Sequence, residues 1–156
     1  MIRMSKLADY GIVLMTHVAR EPGGMVHTAR ELAEASELPL PTVSKVLKAL
    51  ARNELLASHR GTHGGYSLAR TSHEISVADI IAAVDGPVAL TQCTEHPSNP
   101  CDLESVCPVR TNWGLINQTV MQALDGLSLA NMATPLTPET VANTTGPLSI
   151  VETHSP

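Results

Sequence analysis

The chain has 156 residues, 43% of them hydrophobic and 16% charged, with a net charge of −5 at pH 7. That length carries one hydrophobic core plus an appendage. No apolar run reaches the roughly 18–20 residues of a membrane span, so a soluble protein with no membrane partner is expected. The start, Met1-Ile-Arg-Met-Ser-Lys6, lacks an apolar stretch with a small-residue cleavage site, and a cytoplasmic location, where thiols stay reduced, is expected. The distribution of charge says more than its sum. Residues 1–70 hold nine Lys or Arg against six acids, a balance of +3, while residues 71–156 hold only Arg110 against nine acids, a balance of −8. Only the first half is suited to face phosphate.

Residues 6–20 read as a helix, with Leu7, Tyr10, Leu14 and Val18 at helical spacing and Ser5 as cap. Glu21-Pro22-Gly23-Gly24 ends it. Thr28-Ala-Arg-Glu31 is a capping box, which satisfies free backbone N–H groups at a helix start. It opens a short helix to about Ser36. Glu37-Leu38-Pro39-Leu40 turns the chain, and Pro41 begins a helix to about Asn53, with Val43, Val46, Leu47 and Leu50 inward. Two short helices across a tight turn make a helix-turn-helix. Residues 55–59 and 66–69 follow as short strands. Between them Arg60-Gly-Thr-His-Gly-Gly65 supplies glycines suited to positive φ. The ordered set predicts a mainly α fold: a winged helix-turn-helix with a two-strand wing.

Residues 75–84 read as a further helix capped by Ser76. Residues 91–107, rich in proline, read as an irregular loop. Pro108 to about Leu124 is the longest helix signal. Val109, Trp113, Ile116, Val120 and Leu124 form its stripe; its far face, with Asn112, Asn117, Gln118 and Gln122, is only moderately polar. A lone helix this apolar needs a partner, within the chain or in a second copy. Ser128 to Met132 reads as a short terminal turn, and the Pro- and Thr-rich remainder as a disordered tail. The expected division is a winged-helix DNA-binding domain over 1–88, a cysteine loop over 89–107, the long helix and terminal turn over 108–132, and the tail over 133–156.

Recognition helices place their first residues against base edges in the major groove. Thr42, Ser44, Lys45 and Lys48 are therefore the DNA-binding candidates on the helix from Pro41. The hydroxyls suit bases or phosphate and the lysines suit phosphate. Arg60 and His63 at the wing tip are placed for a neighbouring minor groove. The second set is chemical. Cys93, Cys101 and Cys107 are the only cysteines and fall within 15 residues. Soft thiolates select copper(I), zinc or iron–sulfur clusters. The C-x7-C-x5-C spacing is not the C-x2-C of a zinc knuckle. A fourth ligand is not evident: His96, Asp102 and Glu104 lie in the loop, His17 and Asp9 in the first helix, and Arg110 cannot ligate. No Ser–His–Asp set, phosphate loop or carboxylate pair stands out, so neither an enzyme nor a small-molecule substrate is expected.

Five segments together resemble the Rrf2 family of winged-helix regulators: Ser5-Lys-Leu-Ala-Asp-Tyr10, Leu38-Pro-Leu-Pro-Thr-Val-Ser-Lys45, Arg60-Gly-Thr-His-Gly-Gly-Tyr66, Ile75-Ser-Val-Ala-Asp-Ile80 and the cysteine loop. The stretch Cys101-Asp-Leu-Glu-Ser-Val-Cys-Pro-Val-Arg-Thr-Asn-Trp113 is most similar to the branch that regulates the SUF iron–sulfur assembly operon. The resemblance covers about residues 1–132. It implies a homodimer joined by the long helix and bound to double-stranded DNA. It also implies an iron–sulfur cluster on Cys93, Cys101 and Cys107, with [2Fe–2S] favoured over [4Fe–4S], whose occupancy sets operator affinity. Relatives that respond to assembly demand carry a His after the third cysteine, where this chain has Arg110. Relatives that sense nitric oxide or redox state use an acidic residue of the other subunit's first helix, a position matched by Asp9. Two alternatives stand beside this reading: a nitric-oxide- or redox-sensing repressor of the same family, and a zinc- or thiol-based interaction module without a cluster.

Overall fold

The structure, a computed structural model, describes residues 4–21, 24–94, 101 and 106–135, with only the backbone at Cys93. Helix α1 (Lys6–Arg20) starts at Ser5, whose hydroxyl accepts from the Ala8 N–H. Helix α2 (Ala29–Ser36) starts on the full capping box. Thr28 Oγ1 accepts from Glu31 N–H and the Glu31 carboxylate accepts from Thr28 N–H. These bonds hold the exposed Glu31 carboxyl below its usual range. Glu37 takes a left-handed conformation (φ 56°) that closes α2, and helix α3 (Leu40–Arg52) follows at once. It begins one residue before Pro41. Pro39 is extended at the cap position, and a first-turn proline loses no intrahelical bond.

Strands β1 (Leu56–His59) and β2 (Gly65–Leu68) pair antiparallel, with Leu56 opposite Leu68 and His59 opposite Gly65. The wing glycines differ from the expectation of positive φ. Only Gly61 adopts it, at 104°. Gly64 and Gly65 are required by space: a Cβ on Gly64 would sit 2.6 Å from the His59 carbonyl oxygen, and one on Gly65 would collide with that of His27. His27 and Tyr66 exchange two backbone hydrogen bonds of 2.8 Å, which rivets the wing to the segment before α2.

Helix α4 (Val77–Asp85), capped by Ser76 and Asp79, packs against α1 and α3. Gly11 permits the α1–α4 approach, since a Cβ there would stand 3.2 Å from Val84 Cγ2. A short 3-10 turn, Gln92–Thr94, precedes the long helix α5 (Arg110–Asp125). Helix α5 starts two residues later than its sequence suggests, on Val109, with no side-chain cap. Pro108 therefore precedes the helix.

The core gathers Leu14, Met15 and Val18 of α1, Leu32 of α2, Val43, Val46, Leu47 and Leu50 of α3, Ile80 of α4 and Leu129. Leu129 is the unexpected member. It begins helix α6 (Leu129–Ala133), which the sequence suggested only as a terminal turn. Val77 N–H donates to Leu127 C=O (2.8 Å) and Leu129 N–H to Ile75 C=O (2.7 Å). Arg20 Nε reaches Ala133 C=O. The chain thus returns after α5 and seals the winged helix. Because Leu129 is fully buried, Leu129→Ala is expected to lower unfolding free energy by about 2–5 kcal/mol, read from urea midpoints.

Candidate nucleic-acid interface and cysteine site

The amphipathicity of α3 decides what it can present outward. Its four core side chains occupy one face, leaving Lys45, Lys48 and Arg52 exposed. Thr42 and Ser44, on the first turns of the same helix, are half-buried. Arg60 and His63 are exposed at the wing tip. Within the wing, His59 Nε2 lies 2.8 Å from Ser67 Oγ across the strand pair. Arg30, exposed on the first turn of α2, was not singled out by sequence. The signal was present, since the first helix of a helix-turn-helix crosses the nucleic-acid backbone. The Arg70–Asp79 ion pair (3.5 Å) is exposed and contributes little to stability.

Cys93 lies on the 3-10 turn, which packs on α5. That turn closes on itself: Thr94 N–H and Oγ1–H both reach Thr91 C=O (3.0 and 2.9 Å), and Thr91 N–H donates to Thr94 Oγ1 (3.1 Å). Cys101 and Cys107 are half-buried free thiols. Cys107 lies three residues before the start of α5. Asp9 is exposed on the first turn of α1, away from these positions in sequence but on a helix held firmly: its neighbour Ala8 is buried against Val77 and Ile81. His17, on the same helix, is half-buried. His96, Asp102 and Glu104 lie outside the described residues. Among the described residues no three His, Cys, Asp or Glu side chains of one chain form a ready ligand set.

Helix α5 differs from its sequence picture in which side chains turn inward. Asn117, read as part of the polar far face, is half-buried and bonded to Val88 C=O and Leu90 N–H. Leu124 packs on the Ala8, Val77 and Ile81 cluster. Val109 (46% exposed), Ile116 (43%) and Leu127 (36%) are left uncovered. No described helix is long and apolar enough to cross a membrane.

Residues 4–135 match the family model Rrf2, described as an iron-dependent transcriptional regulator. The chain is 32% identical over 141 residues to a Mycobacterium tuberculosis (strain H37Rv) protein assigned as an HTH-type transcriptional regulator, covering 90% of this chain and 87% of that one. It is 28% identical over 131 residues to the HTH-type transcriptional regulator IscR of Sodalis glossinidius, covering 84% and 78%. Among solved structures it resembles CymR, the global cysteine regulator of B. subtilis (TM-score 0.66, 25% identity, 85% and 97% covered). It also resembles T. potens IscR (TM-score 0.64, 27% identity, 84% and 85% covered). These relatives are transcriptional regulators, not enzymes, and they share the helical fold with its two-strand wing. By a match that spans both the winged helix and the cysteine region, this chain belongs to the Rrf2 family of DNA-binding transcriptional regulators.

Proposed function

We propose that this protein is a homodimeric regulator whose operator affinity is set by an iron–sulfur cluster, and that it controls iron–sulfur assembly (SUF) genes. The observation that carries the reading is the placement of the thiols. Cys101 and Cys107 are free and half-buried, and Cys93 sits on a hydrogen-bonded turn packed on α5. The donor chemistry fits a cluster: three soft sulfurs in one loop, and a carboxylate, Asp9, exposed on a rigid helix. Cys93, Cys101 and Cys107 would hold the cluster from one subunit and Asp9 of the partner subunit would complete the set. A [2Fe–2S] centre is the favoured form. When bound, such a centre would supply redox-active iron, and its loss would free Asp9 and the three thiols that held it. Anaerobic purification should yield iron and acid-labile sulfide in equal amounts with visible absorption. Zinc without sulfide would sink the reading in favour of a zinc-based module.

The chain's own residues explain how this would reach DNA. Helix α1 packs on α3 as well as on α4. A ligand on α1 therefore bears on the recognition helix. Dimer half-sites demand spacing near one helical turn, about 34 Å, so a small rotation of one winged helix changes affinity. Asp9→Ala is expected to shrink the holo/apo affinity ratio from the roughly 5–150-fold usual for such couplings toward unity. Operator titrations of both forms at one salt concentration measure it. An unchanged ratio would place the fourth ligand elsewhere. Arg110 in place of a His, with Asp9 on α1, favours redox or nitric-oxide sensing as the second reading of the same site.

At the DNA, Lys45, Lys48 and Arg60 are assigned to phosphate or groove contacts, Thr42, Ser44 and His63 to the recognition surface, and Arg30 to the backbone crossed by α2. Lys45→Ala and Lys48→Ala are expected to weaken binding on every sequence and to lower the slope of log K against log salt by about one each. Slopes unchanged in both variants would remove them from the interface.

A further inference from the structure

Asn117 is the polar side chain of α5 that turns away from solvent. It is half-buried, and its amide spans two backbone groups of the irregular segment after α4. Its Oδ1 accepts from Leu90 N–H at 3.0 Å and its Nδ2 donates to Val88 C=O at 3.2 Å. The orientation of the amide is forced, because an N–H can only donate and a carbonyl can only accept. Asn117 therefore does for residues 88–90 what a neighbouring strand would do.

Leu90 runs directly into the Thr91–Thr94 turn that carries Cys93. That turn is closed by its own bonds, Thr94 to Thr91 and Thr91 to Thr94, so it moves as a unit. Helix α5 is itself fixed. Leu124 packs on α1 and α4, and the bonds Val77 N–H to Leu127 C=O and Leu129 N–H to Ile75 C=O pin its far end. A path of hydrogen bonds thus runs from the winged helix through α5 and Asn117 to Leu90, which the chain joins directly to the turn of the first cysteine.

We propose that Asn117 is a positioning residue for the turn that carries Cys93, setting where the backbone of that turn stands relative to α5. The inference deepens the cluster reading and rests on Cys93 being a ligand. It assigns the link between loop and helix to one side chain, so that strain at the loop is passed to α5 and not dissipated in the irregular segment.

The test compares wild type, Asn117→Ala, Asn117→Asp and the exposed neighbour variant Gln118→Ala. Metal-free protein is read by hydrogen exchange of the peptide containing Leu90 and by alkylation rates of the three thiols. Anaerobically reconstituted protein is read by visible circular dichroism. In Asn117→Ala, exchange at Leu90 and alkylation of Cys93 should rise about tenfold, the size expected from losing one to two net hydrogen bonds in a local opening. Cys101 should keep its wild-type alkylation rate, and the dichroism bands should shift. Asn117→Asp retains the acceptor for Leu90 but sets a carboxylate against Val88 C=O. It should leave Leu90 exchange near wild type while raising Cys93 alkylation by an intermediate factor. Gln118→Ala should change nothing. If Cys93 alkylation and the dichroism stay at wild-type values while Leu90 exchange rises, Asn117 shapes only the segment and the proposal is overturned. A wild type that takes up no iron overturns the cluster reading instead, and the alkylation contrast still judges Asn117. Should Asn117→Ala fail to fold, Asn117→Asp decides: Cys93 alkylation and dichroism both at wild-type values overturn the proposal.

Discussion

Replacing Cys93, Cys101 or Cys107 singly by Ala is expected to remove the visible absorption, iron and sulfide of the anaerobically prepared protein while leaving the winged helix folded. The expectation rests on the economy of the site. The chain has three cysteines and no spare thiol to substitute for a lost one. Even partners one shell removed from a metal are worth about 10–100-fold in affinity, and a direct sulfur ligand is worth more. Folding should survive because neither described thiol belongs to a core cluster. Cys101 and Cys107 are half-buried, whereas the side chains that fill the core come from α1 to α4, β1, Leu55, Ile75 and Leu129. Far-ultraviolet dichroism should therefore match wild type, and the thermal midpoint should match that of cluster-free wild type, while the chromophore is gone. Full iron and sulfide in all three variants would contradict the assignment.

The second large effect concerns assembly. Ile116→Glu combined with Ala123→Glu is expected to convert a dimer into a species near the 16.5 kDa of one chain, or into aggregate. Helix α5 buries none of its residues fully within its own chain. Trp113, Asn117, Val120, Met121 and Leu124 are partly covered, on the side facing α4 and the 3-10 turn. Beside them runs a second stripe of Val109, Ile116, Ala123 and Leu127, spaced by seven, seven and four residues, all exposed. Leu115 (65% exposed) and Val106 (73%) extend the uncovered apolar surface. Contiguous apolar surface on a soluble chain marks an interaction site, and a second copy of the same stripe is the proposed cover. Two Glu side chains per subunit would bury charges without partners, at several kcal/mol per ion. Light scattering distinguishes the outcomes. Gln118→Glu, on the opposite face of α5, should leave the dimer intact. A double variant that remains dimeric would place the interface elsewhere.

Local chemistry made most of the helical framework legible. The Ser5 cap, the Thr28–Glu31 capping box and the Ser76 cap each act over three residues, and the helices they open begin where those residues stand. The inward faces of α1 and α3 followed from their period, because Leu14, Val18, Val43, Val46, Leu47 and Leu50 recur at helical spacing and are all buried. The family was readable for a similar reason: its signature is made of short segments at caps, turns and the wing. Among the wing glycines Gly61 has the positive φ expected of it, whereas Gly64 and Gly65 are required for another cause. Those two answer to carbonyl oxygens that approach from elsewhere, His59 and His27.

What tertiary structure alone decided concerns pairs far apart in the chain. Asn117 looks like a solvent-facing residue by period, yet 27 residues earlier Leu90 offers an N–H that must be satisfied. Leu129 sits in a five-residue segment too short to announce a helix, and it is buried where its own N–H donates to Ile75 C=O and Val77 N–H donates to Leu127 C=O just before it. The sequence by itself determined which side chains are amphipathic, which residues cap and which atoms can ligate, since those are properties of residues and their near neighbours. It could not determine which apolar stripe of α5 turns inward, or which polar group finds a buried partner. Those are settled by backbone groups and side chains that meet only when the chain has closed on itself.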